Sequence, residues 1–242
     1  MGAEQRVAAA AEVPSGALKR RPMSARLRSR LKRLIPRAVA IQRLRESARP
    51  VVLLTFDDGP HPEITPAVLE RLERYGARAV FFVVGRRARR EHEVLDRIRS
   101  AGHVIGNHSH LHRDRYIVAS GPQASILSYY RDCVRCQTVI ERLTGAAPTL
   151  FRPPGGRLMP ASLLTPRLLG MRSVLWSKEV RDWSFDCRED AQAGAAELLR
   201  VIAPRDIVLL HDFNPHVVDL LDTLLPGLRD RGYDLAAGVD LL

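Results

Sequence analysis

The 242-residue chain is poor in cysteine and contains no long apolar run. Three cysteines are too few for a disulfide-stapled scaffold, and a chain of this length can bury enough surface to fold without one. No apolar stretch reaches the roughly 18 residues of a transmembrane helix. No G-x-G-x-x-G fingerprint follows the first predicted strand, which argues against a dinucleotide-binding fold. With 45% hydrophobic residues, a folded domain is expected.

Acidic residues are scarce only near the N-terminus. The first 50 residues carry 13 Lys and Arg against three Asp and Glu, a net charge of +10, while the other 192 carry 25 and 24, a net charge of +1. Because a nucleic-acid-binding domain is basic on its folded face, no nucleic-acid partner is expected. We predict a basic N-terminal extension over 1–48 and one domain over 49–242.

The extension contains one amphipathic stretch, residues 24–46. Leu27, Leu31 and Leu34 recur at helical spacing among arginines, and Pro36 should end or kink that helix. Such a helix can lie on an anionic membrane, pack on the domain or belong to a disordered tail. Residues 1–22 lack the apolar core of a secretory signal. We therefore predict a cytoplasmic location, or one peripheral to the inner membrane face.

The domain alternates apolar strands with amphipathic helices. Strands are predicted over 51–56, 79–84, 103–107, 149–152, 173–176, 206–210 and 233–237. Helices are predicted over 66–75, 86–101, 122–143, 160–169, 189–202 and 215–231. This α/β alternation indicates a parallel sheet, either doubly wound or closed as a barrel. Five polar clusters follow strand ends and converge best at a barrel mouth, so we predict a distorted, TIM-like (β/α) barrel with about seven strands.

Two of these clusters contain residues suited to a metal site. Asp57 and Asp58 end the first strand, where one carboxylate could bind a metal and its neighbour act as a base, although Asp-Gly-Pro is also a common turn. His108 and His112 have a spacing that suits one zinc-type ion, although they could be ordinary polar loop residues. One Asp and two His would leave positions open for water, as in catalytic metal sites.

Five motifs in order resemble the polysaccharide deacetylase family, carbohydrate esterase family 4 with its NodB-homology domain. They are TFDDGP at 55–60, HSHLH at 108–112, FRPPGG at 151–156, RDW at 181–183 and LLHD at 209–212. The resemblance extends from about Val51 to Leu242. It implies a metal-dependent hydrolase that removes an N-acetyl or other acyl group from an amino sugar in a polysaccharide, oligosaccharide or glycoconjugate.

The resemblance also implies a metal site and a base. Asp58, His108 and His112 would bind one divalent ion, zinc in the first place, with cobalt or another divalent ion as the alternative. Asp57 would be the general base that deprotonates the attacking water, and Arg152 would pair with Asp57 and orient it.

The remaining matched positions imply an acid and a substrate pocket. His211 would be the general acid for the leaving amine, and Asp182 would keep it protonated. Trp183 and Leu209 would line the pocket for the acetyl methyl group. Gly155 stands where the family often has tyrosine, so its backbone N–H is retained but the aromatic wall is lost.

Other interpretations remain open. Aromatic residues make up 5% of the chain, which favours a short substrate, because glycan subsites usually use exposed aromatic rings. The same chemistry could act on an O-acetyl ester, a formyl-aminosugar lipid or a small non-sugar amide, and a non-catalytic membrane-surface protein is the alternative of another class. His61 could edge the substrate site, whereas Cys133 and Cys136, inside a predicted helix, are expected to be packing residues.

Overall fold

The computed structural model describes residues 36–112 and 121–242. Most of the predicted amphipathic stretch, residues 24–35, lies outside them. In the described residues seven parallel strands form one curled sheet in the order β5-β4-β3-β2-β1-β7-β6. The strands are β1 Leu53–Asp57, β2 Val80–Val83, β3 Val104–Asn107, β4 Leu150–Phe151, β5 Arg172–Ser173, β6 Lys178–Glu179 and β7 Ile207–His211.

Helices cover the outside of this sheet, which confirms the predicted distorted (β/α) barrel. The described α-helices are α1 Ile64–Arg74, α2 Gly85–Arg90, α3 His92–Ser100, α4 Gly121–Thr144, α5 Pro160–Leu168, α6 Arg188–Val201 and α7 His216–Asp230. Short 3-10 turns lie at Pro154–Gly156, Asp182–Ser184 and Ala237–Leu241. Because each connecting helix runs back against its strands, the strand carboxyl ends share one face of the molecule.

Alternation along the central strands separates two buried layers. Leu54 and Phe56 of β1, and Val52 just before it, pack with the helices, whereas Leu53 belongs to the interior cluster. The side-chain period of two then directs Thr55 and Asp57 to the interior as well. The barrel is therefore apolar at the amino ends of its strands and polar at their carboxyl ends.

The segment before β1 forms the floor of the barrel. Ala40, Ile41 and Leu44 are buried in the interior cluster. The Ile41 N–H donates to the Ser173 carbonyl at 2.8 Å, and the Ile41 carbonyl accepts from Leu175 N–H at 2.7 Å. Residues 40–44, part of the predicted extension over 1–48, thus have the packing and hydrogen bonds of the domain.

Three local differences from the predicted elements have physical causes. The predicted helix over 86–101 is broken at Glu91, whose ψ of 49° is not helical. Strand β6 was not predicted, because two residues carry no periodic pattern. The predicted strand over 233–237 is reduced to one bridge between Asp234 and Val51. There the Asp234 carboxylate accepts the backbone N–H groups of Ala236 and Ala237 and turns the chain away.

Candidate active site

Asp57 and Arg152 form a buried ion pair at the end of β1. Arg152 Nη1 donates to Asp57 Oδ1 at 2.7 Å and to Thr55 Oγ1 at 2.8 Å. Its other nitrogens donate to the carbonyls of Val174 and Leu175, each at 3.1 Å. Burial raises the pKa of Asp57, and the Arg152 guanidinium opposes that rise. The arginine therefore orients one carboxylate oxygen and favours its ionised form.

Asp58 turns toward the same centre because the strand ends before it. Its φ of 77° lies in the left-handed region, which asparagine and aspartate tolerate better than most residues. Arg87 of α2 donates from Nη1 to the Asp58 carbonyl at 2.5 Å. Asp58 Oδ1 is buried, accepts no hydrogen bond, and lies 3.0 Å from His112 Nε2 and 3.6 Å from His108 Nε2.

His108 is held as a neutral imidazole with one nitrogen facing the carboxylates. Its Nδ1 lies 2.8 Å from the Arg152 carbonyl, and since a carbonyl only accepts, Nδ1 carries the proton. Burial lowers the pKa of His108 to about 3 despite the opposing charge of Asp58. The unprotonated Nε2 therefore faces two carboxylate oxygens, from Asp57 and Asp58, each 3.6 Å away.

The loop that carries His112 is held from α4. Asp132 Oδ2 accepts the backbone N–H groups of His110 and Leu111 at 3.1 and 3.2 Å. Asn107 ties the start of the loop to α4. Its side-chain oxygen accepts Ser109 N–H at 2.8 Å, and its side-chain amide donates to the Cys133 carbonyl at 2.9 Å. The position of the His112 imidazole therefore depends on the buried carboxylate of Asp132, which lies on α4 and is distant in sequence.

These residues fit a divalent cation. One ligand atom from each of Asp58, His108 and His112 lies within 4.8 Å of the others. A buried carboxylate oxygen without a hydrogen bond, next to an imidazole lone pair, is electrostatically unfavourable unless a positive charge lies between them. One oxygen and two nitrogen donors suit zinc and similar ions and leave positions open for water.

His211 and Asp182 form a second buried pair. Asp182 Oδ1 lies 3.0 Å from His211 Nδ1, and Asp182 Oδ2 accepts the His211 backbone N–H at 2.7 Å. Burial alone would lower the pKa of His211, but Asp182, with smaller contributions from Asp57 and Asp58, raises it to about 9. In the parallel register of β1 and β7, His211 pairs directly with Asp57, so the two groups stand side by side at the barrel mouth.

The three predicted substrate contacts occupy different surroundings. Leu209 is buried inside the barrel, two residues before His211 on β7. Trp183 is 45% exposed, and the Arg181 guanidinium stacks on its ring at 4.8 Å. Gly155 is exposed and adopts a φ of 61°. Their roles toward a substrate stay predictions.

His61 caps a helix, and Cys133 and Cys136 are buried in one. His61 Nδ1 accepts the backbone N–H groups of Glu63 and Ile64, each at 3.3 Å, at the start of α1. Cys133 and Cys136 are free and buried in α4, and burial raises the pKa of both thiols.

Sequence reasoning missed several supporting residues. Thr55 shares the inward face of β1 with Asp57, so strand alternation alone could have identified it. Asp132 and Arg87 had no such indication, because their roles depend on where α4 and α2 cross the ends of the strands. The sequence also did not indicate Arg86, Arg89 and Arg135, whose charges add to burial in lowering the pKa of His110 in the loop between His108 and His112.

Comparison with known proteins places the chain in a family. The family described as "Polysaccharide deacetylase" matches residues 45–174. A peptidoglycan-N-acetylglucosamine deacetylase of Bacillus cereus is 34% identical over 199 residues, 79% of this chain and 88% of the relative. A chitooligosaccharide deacetylase of Sinorhizobium fredii is 32% identical over 198 residues, 76% of this chain and 88% of the relative.

Solved structures agree with the sequence relatives. Peptidoglycan deacetylase PdaC from Bacillus subtilis is similar with a TM-score of 0.69 and 29% identity, over 79% of this chain and 89% of that structure. These relatives are named deacetylases, and their similarity to this chain shows a hydrolase of carbon-nitrogen bonds other than peptide bonds. The chain belongs to the polysaccharide deacetylase family, a family of metalloenzymes.

Among the described helices, none has the length and hydropathy of a membrane span.

Proposed function

We propose that this chain removes the N-acetyl group of an amino sugar within a glycan. The observation that carries the proposal is the pairing of Asp57 with His211 on adjacent strands, beside the cluster of Asp58, His108 and His112. A carboxylate and a protonated imidazole next to one ligand cluster are the groups that amide hydrolysis needs. The names of the relatives make peptidoglycan and chitooligosaccharide the first substrates to test.

Asp58, His108 and His112 would hold one divalent cation, zinc in the first place. When bound there, such an ion lowers the pKa of water and stabilises negative charge on a carbonyl oxygen. Asp57 takes the proton from the attacking water, and Arg152 holds the receiving carboxylate in place. The backbone N–H of Gly155 is the proposed additional donor to the amide oxygen.

His211 supplies the proton that the leaving nitrogen needs. Asp182 occupies Nδ1, so the other ring nitrogen, Nε2, is the one available to the substrate. A pKa of about 9 keeps the ring protonated at neutral pH. Leu209 and the indole of Trp183 would pack on the acetyl methyl group.

The test compares acetate release by the wild type and by Asp57→Asn, each loaded with zinc. We expect kcat to fall by about 100- to 10,000-fold, the usual contribution of a general base, with one ion still bound per chain by elemental analysis. A chelator should abolish the wild-type activity, and zinc or cobalt should restore it. Unimpaired turnover by Asp57→Asn would remove Asp57 from the role of base.

The substrate panel separates the amide of an amino sugar from the alternatives. It contains peptidoglycan fragments, chito-oligosaccharides, acetylxylan as an O-acetyl ester, a formyl-aminosugar lipid and a small N-acetyl amide without a sugar. We expect kcat/KM to be highest for the N-acetylated glycans. Preference for any of the other three compounds would reassign the substrate while leaving the hydrolytic chemistry intact.

The basic N-terminal segment is proposed to bind an anionic membrane surface through residues 24–46, placing the enzyme in the cytoplasm or on the inner membrane face. Ala40, Ile41 and Leu44 are buried in the barrel floor, so the membrane contact would fall on residues 24–39. Flotation with phosphatidylglycerol vesicles, of the wild type and of a variant with the arginines of 26–33 changed to glutamine, tests this. Equal flotation of both proteins would eliminate the segment as a membrane contact.

A further inference from the structure

A cluster of unpaired arginines adjoins the candidate active site. Four of the six residues of α2 are arginine, and two more arginines lie one turn apart on the neighbouring α4. We use the name arginine face for the exposed members of this group that form no ion pair, which are Arg86, Arg89, Arg131 and Arg135. Arg90 is exposed as well, but it pairs with Glu91 at 3.2 Å. The domain from residue 51 onward has a net charge of only +1, so this concentration of charge is local.

Backbone contacts fix the arginine face next to the ligand cluster. The Gly85 N–H donates to the Ser109 carbonyl at 3.0 Å, and the Arg86 N–H donates to the His110 carbonyl at 3.1 Å. These two acceptors lie between His108 and His112, in the loop that carries the two histidines of the ligand cluster. On the inner side of the same helix, Arg87 donates to the carbonyl of Asp58. The helix therefore contacts the site with one face and presents arginines to solvent with the other.

No acidic residue neutralises this face within the described part of the chain. The ion pairs of the described residues bind other arginines, such as Arg90 to Glu91 at the end of α2 and Arg78 to Asp240, but none involves Arg86, Arg89, Arg131 or Arg135. Asp132, which lies between the two arginines of α4, is buried and accepts the backbone of the loop instead. Like charges one helical turn apart repel each other, and a bound anion would relieve that repulsion.

We propose that Arg86, Arg89 and Arg135 bind anionic groups of the glycan whose amino sugar reacts at the adjacent site. The proposal rests on the proposed deacetylase function and adds that the preferred glycan is charged. Guanidinium groups form bidentate hydrogen bonds with carboxylates and with phosphates. Both anions have this chemistry, and the substrates of the test distinguish them.

The experiment compares three substrates and three proteins. The substrates are a neutral chito-oligosaccharide, a peptidoglycan fragment with stem-peptide carboxylates, and a phosphorylated chito-oligosaccharide. The proteins are the wild type, the triple variant Arg86→Gln, Arg89→Gln, Arg135→Gln, and a control triple variant with the same change in charge. The control replaces three exposed arginines in the last turns of α1, α3 and α6, which end at the opposite face of the barrel, namely Arg74→Gln, Arg97→Gln and Arg200→Gln.

We expect the arginine-face variant to lose about tenfold in kcat/KM for the anionic substrate relative to the neutral one, since three exposed ion pairs are worth roughly that factor together. The loss should appear in KM, and the wild-type preference should decline as salt is raised. Isothermal titration with the same fragments, on chelated protein, should show the same weakening of binding. The control variant should retain the wild-type ratio.

Equal losses on neutral and charged glycans, or the same change of ratio in the control variant, would overturn the proposal. Loss of binding to phosphatidylglycerol vesicles without a change in the glycan ratio would also overturn it, in favour of a membrane surface. If the wild type deacetylates no glycan but the variant still loses binding of charged fragments, only the proposed function fails. If deacetylation proceeds and the ratio is unchanged, only this inference fails.

Discussion

Replacing Arg152 by methionine should disable the site through Asp57. Methionine retains much of the arginine stem but donates no hydrogen bond, so the Asp57 carboxylate would be buried without its partner. Breaking a buried ion pair from one side costs about 3–5 kcal/mol of unfolding free energy. For a domain of this size that is a decrease in Tm of roughly 6–20 °C. Without the guanidinium, the pKa of Asp57 should rise further, so less base is ionised at neutral pH.

A double-mutant cycle isolates the pair from the other contacts of Arg152. The guanidinium also binds Thr55 and two carbonyls, and these contacts are lost whether residue 57 is Asp or Asn. In chelated protein, urea unfolding of Arg152→Met, Asp57→Asn and the double variant should give a coupling of about 1–3 kcal/mol. The exposed pair of Arg78 and Asp240, treated in the same way, should give about 0–1 kcal/mol.

The result that would refute this reasoning is a coupling below about 0.5 kcal/mol between positions 57 and 152. Arg152 would then stabilise the barrel without holding the base. A second readout is the acidic limb of the pH dependence of kcat/KM, which should move to higher pH in Arg152→Met because Asp57, as the proposed base, must be deprotonated to act. An unchanged limb, with reduced stability, would assign a purely structural role to the arginine.

Three further predictions concern the groups around this pair. The raised pKa of His211, about 9 against an ordinary 6.5, stabilises the fold by about 3 kcal/mol below pH 6.5. That contribution should disappear as pH rises through 9. In chelated protein, the same pH dependence of the unfolding free energy for wild type and Asp182→Asn would contradict it. Asp132→Ala should weaken zinc affinity by about 10- to 100-fold in a competition titration, whereas Asp132→Asn, which still accepts N–H groups, should lose less. Trp183→Ala should raise KM for N-acetylated glycans with little change in stability, because the ring is 45% exposed; unchanged KM would remove Trp183 from the pocket.

The sequence allowed the main residues of the site to be predicted because they lie at strand ends. Long apolar strands such as β1 and β7 are recognisable by composition, and polar residues that end them must meet at one face. This rule was enough to place Asp57 and His211 near each other at that face. Strand β6 was not predictable, because its two residues become a strand only by pairing with β7.

The supporting contacts could not be predicted for a related reason. Asp132 is 20 residues from His112 in sequence, and its carboxylate acts on the loop only because α4 crosses the end of β3. The floor is a similar case. Ile41 is apolar within a basic segment. Its buried position is fixed by backbone hydrogen bonds with Ser173 and Leu175, which are distant in sequence. Local patterns contain no information about such pairings.

The doublet of carboxylates shows how the backbone makes the site feasible. Adjacent residues of a strand point to opposite faces, so Asp57 and Asp58 could not both face the barrel interior in a continuing strand. Strand β1 ends at Asp57, and the left-handed φ of Asp58 returns its carboxylate toward His108 and His112. A non-glycine residue in that conformation costs roughly 1 kcal/mol. The turn thus gives the two neighbouring carboxylates different nearest partners, Arg152 at 2.7 Å for Asp57 and His112 at 3.0 Å for Asp58, while His108 lies 3.6 Å from both. The proposed base beside a metal ligand requires this difference.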